Sequence, residues 1–267
     1  MKLLLILTIV VLGGTLLPPH ALVAQTYYDF AFAEATNNYN KGLIRAVDPS
    51  TAVSYYMNSN GEHVIALLTL YGTMNEVILD PDIHSVLDLR VTGDYVFFCG
   101  RKGGNGFIGC IQLSTMISPT PTVSYTTPDP GYVESFHSMV AYKDGSNEKV
   151  VAVGEYHWNY NNPSFYGVCL DTFHLCIRRP IAEFTFNGVT CNGMNLWTSD
   201  DGTHLECANE VIETPTHVAI ICYYTDIHAI SIHYCDKANV WLTFSNYYYY
   251  PAPDEGHSHM HGCYMYN

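Results

Sequence analysis

The segment GDYVFFCG (93–100) places a glycine-aspartate turn ahead of five apolar residues and closes on a second glycine. Three other segments follow the same grammar: HVIALLTL (63–70), KVVAVGEY (149–156) and HVAIICYY (217–224). Each opens on a polar residue and runs through four to six mostly apolar ones. A strand with one face in water alternates apolar and polar residues, whereas a short continuous apolar run suits a strand buried on both faces. A chain that makes this demand four times needs sheets covered on both sides.

The residues after each run extend the pattern. After 93–100 come a glycine-rich turn (101–106) and FIGCIQL (107–113); after 149–156 come a longer loop and FYGVCLD (165–171); after 217–224 comes AISIHYCD (229–236). The shared Phe-x-Gly of the first two predicts related hairpins. Period-two segments TVSYTT (122–127), AEFTFN (182–187) and VWLTFS (240–245) read as outer, half-exposed strands. SVLDLRV (85–91) and SFHSMVAY (135–142) read as strands ahead of their central runs.

Four antiparallel strands per unit, repeated along the chain, predict an all-β, β-propeller-like fold of four to five blades, with each central run second in its blade. A β-sandwich is the competing fold, but it gives no reason for the four-strand grammar to recur. PDPGYVESFHSMVAY (128–142) and PDEGHSHMHGCYMY (253–266) both run from Pro-Asp-x-Gly through histidine into an apolar strand. The second therefore reads as the first strand of a fifth, incomplete unit. Either YYDFAFAEA (27–35) supplies strands that close the ring, or the propeller is shortened and has an open edge.

GDYVFFCG followed by a glycine-rich turn and GFIGCI resembles uncharacterised exported propeller-like proteins of anaerobic gut bacteria. The similarity spans most of the chain after residue 24 and is specific only around 88–113. It implies fold and export; it implies no chemistry and no site.

The N-terminus reads as an address. Lys2 precedes an uncharged apolar run (3–17), Pro18 and Pro19 break it, and a small-residue region comes next. This predicts a signal peptide over 1–24 and a single exported domain over 25–267, periplasmic, cell-surface or extracellular. The apolar run is short for a membrane span. The formal net charge is −14, which repels nucleic acid and anionic lipid alike.

Candidate site residues are few. His84, His137 and His204 precede their central runs by similar distances and could converge at one channel mouth; the competing role is pinning a loop within each blade. His257, His259 and His261 alternate near the C-terminus, where a fortuitous metal-binding tail is the simpler reading. No metal or other cofactor is expected. Trp158 and Tyr160, in HWNYNNP (157–163), offer flat faces beside amides and could stack on sugar rings, and YYYY (247–250) is expected in a corresponding connection.

Nine cysteines in an exported chain raise the question of disulfides. A four-residue turn at 171–174 would set Cys169 opposite Cys176 within bridging distance. Cys99 and Cys222 are expected where Val153 stands, as small buried hydrophobes. The sequence has no G-x-S-x-G, H-E-x-x-H or phosphate-binding glycine loop, and Asp88, Asp94 and Glu134 have no spacing that sets them apart from turn acids. The expected function is binding, with a glycan or a surface protein as ligand. The alternatives are a glycan-cleaving hydrolase or lyase, and a propeller remnant without a site.

Overall fold

The computed structural model describes residues 42–70, 72, 74–128, 133, 135–157, 176–199, 206–224, 229–239 and 246–251. The described chain is all-β, with no α-helix and two single turns of 3-10 helix. Among these residues no helix is long and apolar enough to cross a membrane.

Sixteen described strands form four antiparallel sheets, each of four strands in chain order. Sheet 1 holds β1 (Leu43–Asp48), β2 (Thr51–Met57), β3 (His63–Thr69) and β4 (Met74–Ile78). Sheet 2 holds β5 (Ile83–Thr92), β6 (Tyr95–Lys102), β7 (Asn105–Gln112) and β8 (Val123–Thr126). Sheet 3 holds β9 (Ser135–Asp144), β10 (Asn147–His157), β11 (Cys176–Asn187) and β12 (Thr190–Ser199). Sheet 4 holds β13 (Glu206–Glu213), β14 (His217–Tyr224), β15 (Ala229–Asp236) and β16 (Asn246–Pro251).

The four apolar runs fall in four different sheets, as their grammar requires. Three are second strands (β6, β10 and β14). The first is not: HVIALLT is β3, because the turn after Asp48 folds an extra buried strand, TAVSYYM, ahead of it. Two outer-strand expectations also change. AEFTFN belongs to β11, the third strand of sheet 3, and β12 takes the outer place. YYYY lies within β16, hydrogen-bonded to β15, rather than in a connection. The segments 165–171 and 240–245 fall outside the described residues.

Alternation along the runs explains their composition. Val96 and Phe98 of β6 join sheet 1 residues such as Val53, Ile65 and Leu67 in one core. Their neighbours Phe97 and Cys99 pack in a second core with Phe136, Met139, Val150, Ala152 and Phe184 of sheet 3. Val151 and Val153, on the other face of β10, pack with Val211, Val218 and Ile220 of sheet 4. Successive sheets thus stack face to face, and a middle strand has no solvent side. The first strands of successive sheets also touch one another: β1 with β5, β5 with β9, and β9 with β13.

Turns and bulges fix the registers. Two-residue turns begin with Gly93, Gly103, Gly145 or Gly188, each at a φ between 54 and 63° that other residues rarely adopt. In sheets 2, 3 and 4 the first strand carries one extra residue at the same place, namely Leu87, His137 and Asn209. This alignment pairs Cys222 with Gly100 and Gly154, while Cys99 matches Val153 and Ile221. The expected equivalence of Cys222 with Val153 is therefore one residue out of step.

A buried polar chain fastens sheet 1 to sheet 2. The Tyr55 hydroxyl meets His63 Nδ1 at 2.7 Å and also hydrogen-bonds the Val86 backbone, while the His63 ring bonds the Ile83 backbone. Burial, with a smaller push from the charge of His84, lowers the His63 pKa. A depressed folded pKa means that the unfolded chain binds the proton first. The stability this group supplies is complete above the unfolded value of about 6.5 and is lost as pH falls below it. Wild type should lose more stability than His63→Gln between neutral pH and about pH 5, measured by urea unfolding at each pH. Parallel losses would remove His63 as the cause.

Candidate functional site

Charge is scarce in this chain, and three of its charged side chains meet where the first strands meet. Asp88 sits directly after the β5 bulge, opposite Cys99, so its side chain points toward sheet 3. Its Oδ1 lies 3.1 Å from Arg45 Nη2, on β1, and its Oδ2 lies 3.0 Å from Arg90 Nη2, on β5. Backbone N–H groups complete the cage: Leu89 donates to Oδ1 at 2.8 Å and Met139, on β9, to Oδ2 at 2.9 Å. Arg90 Nε donates to the Met139 carbonyl at 2.7 Å. One carboxylate thereby ties the first strands of three sheets.

The carboxylate is sealed while the guanidiniums are not. The Asp88 side chain is 7% exposed, against 36% for Arg45 and 30% for Arg90. Two cations share one anion, so the cluster carries one net positive charge and keeps spare N–H donors. Such donors suit a carboxylate or another planar anion. Arg45 Nε is buried with no hydrogen-bond partner.

Other acids are held in structural roles. Asp94 accepts from the Ser114 backbone and hydroxyl and from Gln112 Nε2, pinning the 3-10 turn. Burial pushes its carboxyl upward, but those hydrogen bonds outweigh it and the net shift is down. That leaves Asp94 poorly suited as a general acid. Glu148 is shifted upward by burial, with the Thr92 hydroxyl 3.3 Å away. Glu134 falls outside the described residues.

His84 and His137 do not line up. His84 is exposed on β5, three residues before the bulge. His137 is half-buried and is itself the bulged residue of β9, so its β5 counterpart is Leu87. His204, Trp158, Tyr160, Cys169 and the terminal histidines fall outside the described residues. Cys176 opens β11 opposite His157 of β10. Cys99 and Cys110 are free thiols pushed up by burial, and Cys191 is free and half-buried. Among the described residues no group of three or more histidine, cysteine or acidic side chains could hold a metal ion.

An open groove of about 630 Å³ runs between β8 and the β11–β12 turn, bordered by Ser124, Thr126, Thr190, Cys191 and Asn192. Its walls carry hydroxyls and amides but no charge. The arginine cluster is the stronger candidate, and sequence reading passed over both arginines. The available signal was Asp-Leu-Arg inside SVLDLRV: a charged pair two apart shares one face of an otherwise apolar strand. Compared with known families and with characterised proteins, the chain matches none.

Proposed function

We propose that this chain is an exported binding protein of β-propeller type, whose ligand is a glycan or surface protein presenting an anionic group to Arg45 and Arg90. Four-stranded antiparallel sheets stacked in chain order, with adjacent first strands, support the propeller reading. A two-sheet sandwich would leave one face of each sheet in solvent, whereas sheets 2 and 3 are buried on both faces.

The observation that carries the binding reading is the pair of partly exposed guanidiniums sharing one buried carboxylate, in a protein of net charge −14. The surrounding negative field discourages anions elsewhere, so a local positive site selects where an anion lands. A glycan array probed with residues 25–267 should favour sugars bearing a carboxylate over their neutral counterparts. Arg45→Met should weaken that preference about tenfold, the loss of one charge-assisted contact of about 1.4 kcal/mol, with folding checked by thermal unfolding. Equal binding of neutral and acidic sugars, or an unchanged preference in Arg45→Met, would sink the assignment.

A further inference from the structure

A second group of polar side chains, sharing no residue with the arginine cluster, stands at the start of β14. Thr216 Oγ1 lies 2.7 Å from His217 Nδ1, and His217 Nε2 lies 3.0 Å from Asp236 Oδ1. A neutral imidazole has one N–H and one bare nitrogen, and a carboxylate only accepts. In the neutral ring Nε2 therefore carries the proton toward Asp236, and Nδ1 accepts the Thr216 hydroxyl. The hydrogen bonds run one way, from hydroxyl to ring to carboxylate. That is the order of nucleophile, general base and orienting acid in a hydrolytic triad, with the two ring nitrogens exchanged.

The backbone fixes all three residues. His217 and Asp236 are cross-strand partners in the β14–β15 ladder. In the β13–β14 turn, Thr214 N–H donates to the His217 carbonyl at 2.9 Å, and Thr214 Oγ1 accepts the His217 N–H at 2.9 Å. Pro215 restricts φ inside that turn. Lys237 N–H donates to the Thr216 carbonyl at 2.9 Å, and Lys237 Nζ lies 2.8 Å from Glu213 Oε2, so the turn is also tied to the end of β15. The Tyr234 ring meets the His217 ring edge-on, with centroids 6.1 Å apart. Among the described residues the Thr216 N–H meets no acceptor. It stands beside the hydroxyl, ready to donate to the oxyanion formed when that hydroxyl attacks a carbonyl. A pair serving only to close the ladder needs His217 and Asp236; it has no use for a threonine proton aimed at the ring.

We propose that Thr216, His217 and Asp236 form a second site, which hydrolyses carboxylic esters of small acyl groups. Thr216 Oγ1 attacks the ester carbonyl while His217 Nδ1 takes its proton. The carbon–alkoxy bond then breaks, and His217 returns the proton to the departing alkoxide. Water, deprotonated by His217, attacks the acyl-threonine; the carboxylic acid leaves and the Thr216 hydroxyl is restored. Asp236 is a positioning residue, holding the ring with Nδ1 toward the hydroxyl. The side chains of His217 and Asp236 are 42% and 63% exposed, so a substrate can reach them. The same openness limits the site to esters, because an amine leaves readily only from a site that excludes water and protonates it.

Hydrolysis of p-nitrophenyl acetate by residues 25–267, against a blank of free imidazole at equal concentration, tests this. Wild type should exceed the blank and carry an acetyl group on Thr216, found by mass spectrometry after acid quenching. Thr216→Ala and His217→Gln should each lower the rate at least about tenfold, and Thr216→Ser should keep it within about threefold. Asp236→Asn should lower kcat about tenfold with KM within about twofold, as expected of a residue that orients the base. Circular dichroism checks that each variant is folded. Any of four results would overturn the proposal: wild type no faster than the blank, acetyl found only on other residues, Thr216→Ala as fast as wild type, or Thr216→Ser as slow as Thr216→Ala.

Discussion

Asp88→Ala lowers stability by about 3 kcal/mol, and the loss is spread over three sheets. The substitution strips the acceptor from the N–H groups of Leu89 and Met139, both in buried surroundings. A buried donor left unpaired costs about 1–3 kcal/mol. It also leaves the Arg45 and Arg90 guanidiniums without their anion. Because both are about one-third exposed, water recovers part of that cost, so the total stays below the sum of four lost contacts. For a unit of this size the expected drop in thermal midpoint is about 6–12 °C. Asp88→Ser is the informative control. Serine already plays the accepting role at Ser138, whose Oγ accepts from Val211 N–H of β13, so it should retain the tie to Met139 and lose the arginine contacts and the Leu89 N–H bond to Oδ1. A midpoint for Asp88→Ala within about 2 °C of wild type would show that the cluster holds nothing together.

Gly100→Ala carries the second large effect, for a steric reason. A Cβ at this position would lie 2.0 Å from the Ser85 carbonyl oxygen, 2.8 Å from its carbon and 3.0 Å from Val86 Cα. All three are backbone atoms of β5, so no side-chain rotation relieves the clash. The strand must move, and with it Val86 and Leu89, which sit in the core shared with sheet 1. Overpacking of this kind costs about 1–3 kcal/mol, and displacement of a bulged strand puts this case at the upper end. Gly154, where a Cβ would come 2.3 Å from the Ser135 oxygen, should behave alike. Gly193→Ala is the contrast, since its nearest neighbour would be 3.8 Å away and the site is exposed. That change should alter stability by less than about 0.5 kcal/mol. Denaturant unfolding of the three variants tests the ordering, and a Gly100→Ala protein as stable as Gly193→Ala would contradict the close approach.

The second glycine of GDYVFFCG thus has a cause that the sequence did not display. The first glycine and the apolar run were legible because turn geometry and two-sided burial act locally and leave a pattern in consecutive residues. The demand on Gly100 comes from β5, whose approach depends on a bulge, and a bulge has no sequence signature here. The same bulge misled the histidine alignment. Counting back from the central run treats every residue as one step along the strand, and extra residues at His84, Leu87 and His137 break that count. The place of HVIALLT as a third strand was equally hidden, since TAVSYYM could have paired before or after it.

Local patterning by itself determined an all-β chain, strands buried on both faces, tight glycine turns, and hairpins such as β6–β7 and β14–β15. These arise from periodicity and backbone conformation, which neighbouring residues dictate. Only the tertiary structure decided that Arg45, Asp88 and Met139 meet across three sheets, and that Ser138 on β9 holds the place of Asp88 on β5. Contacts between side chains more than forty residues apart depend on how sheets stack and where strands bulge. Both are set by the whole core and not by any single stretch of chain.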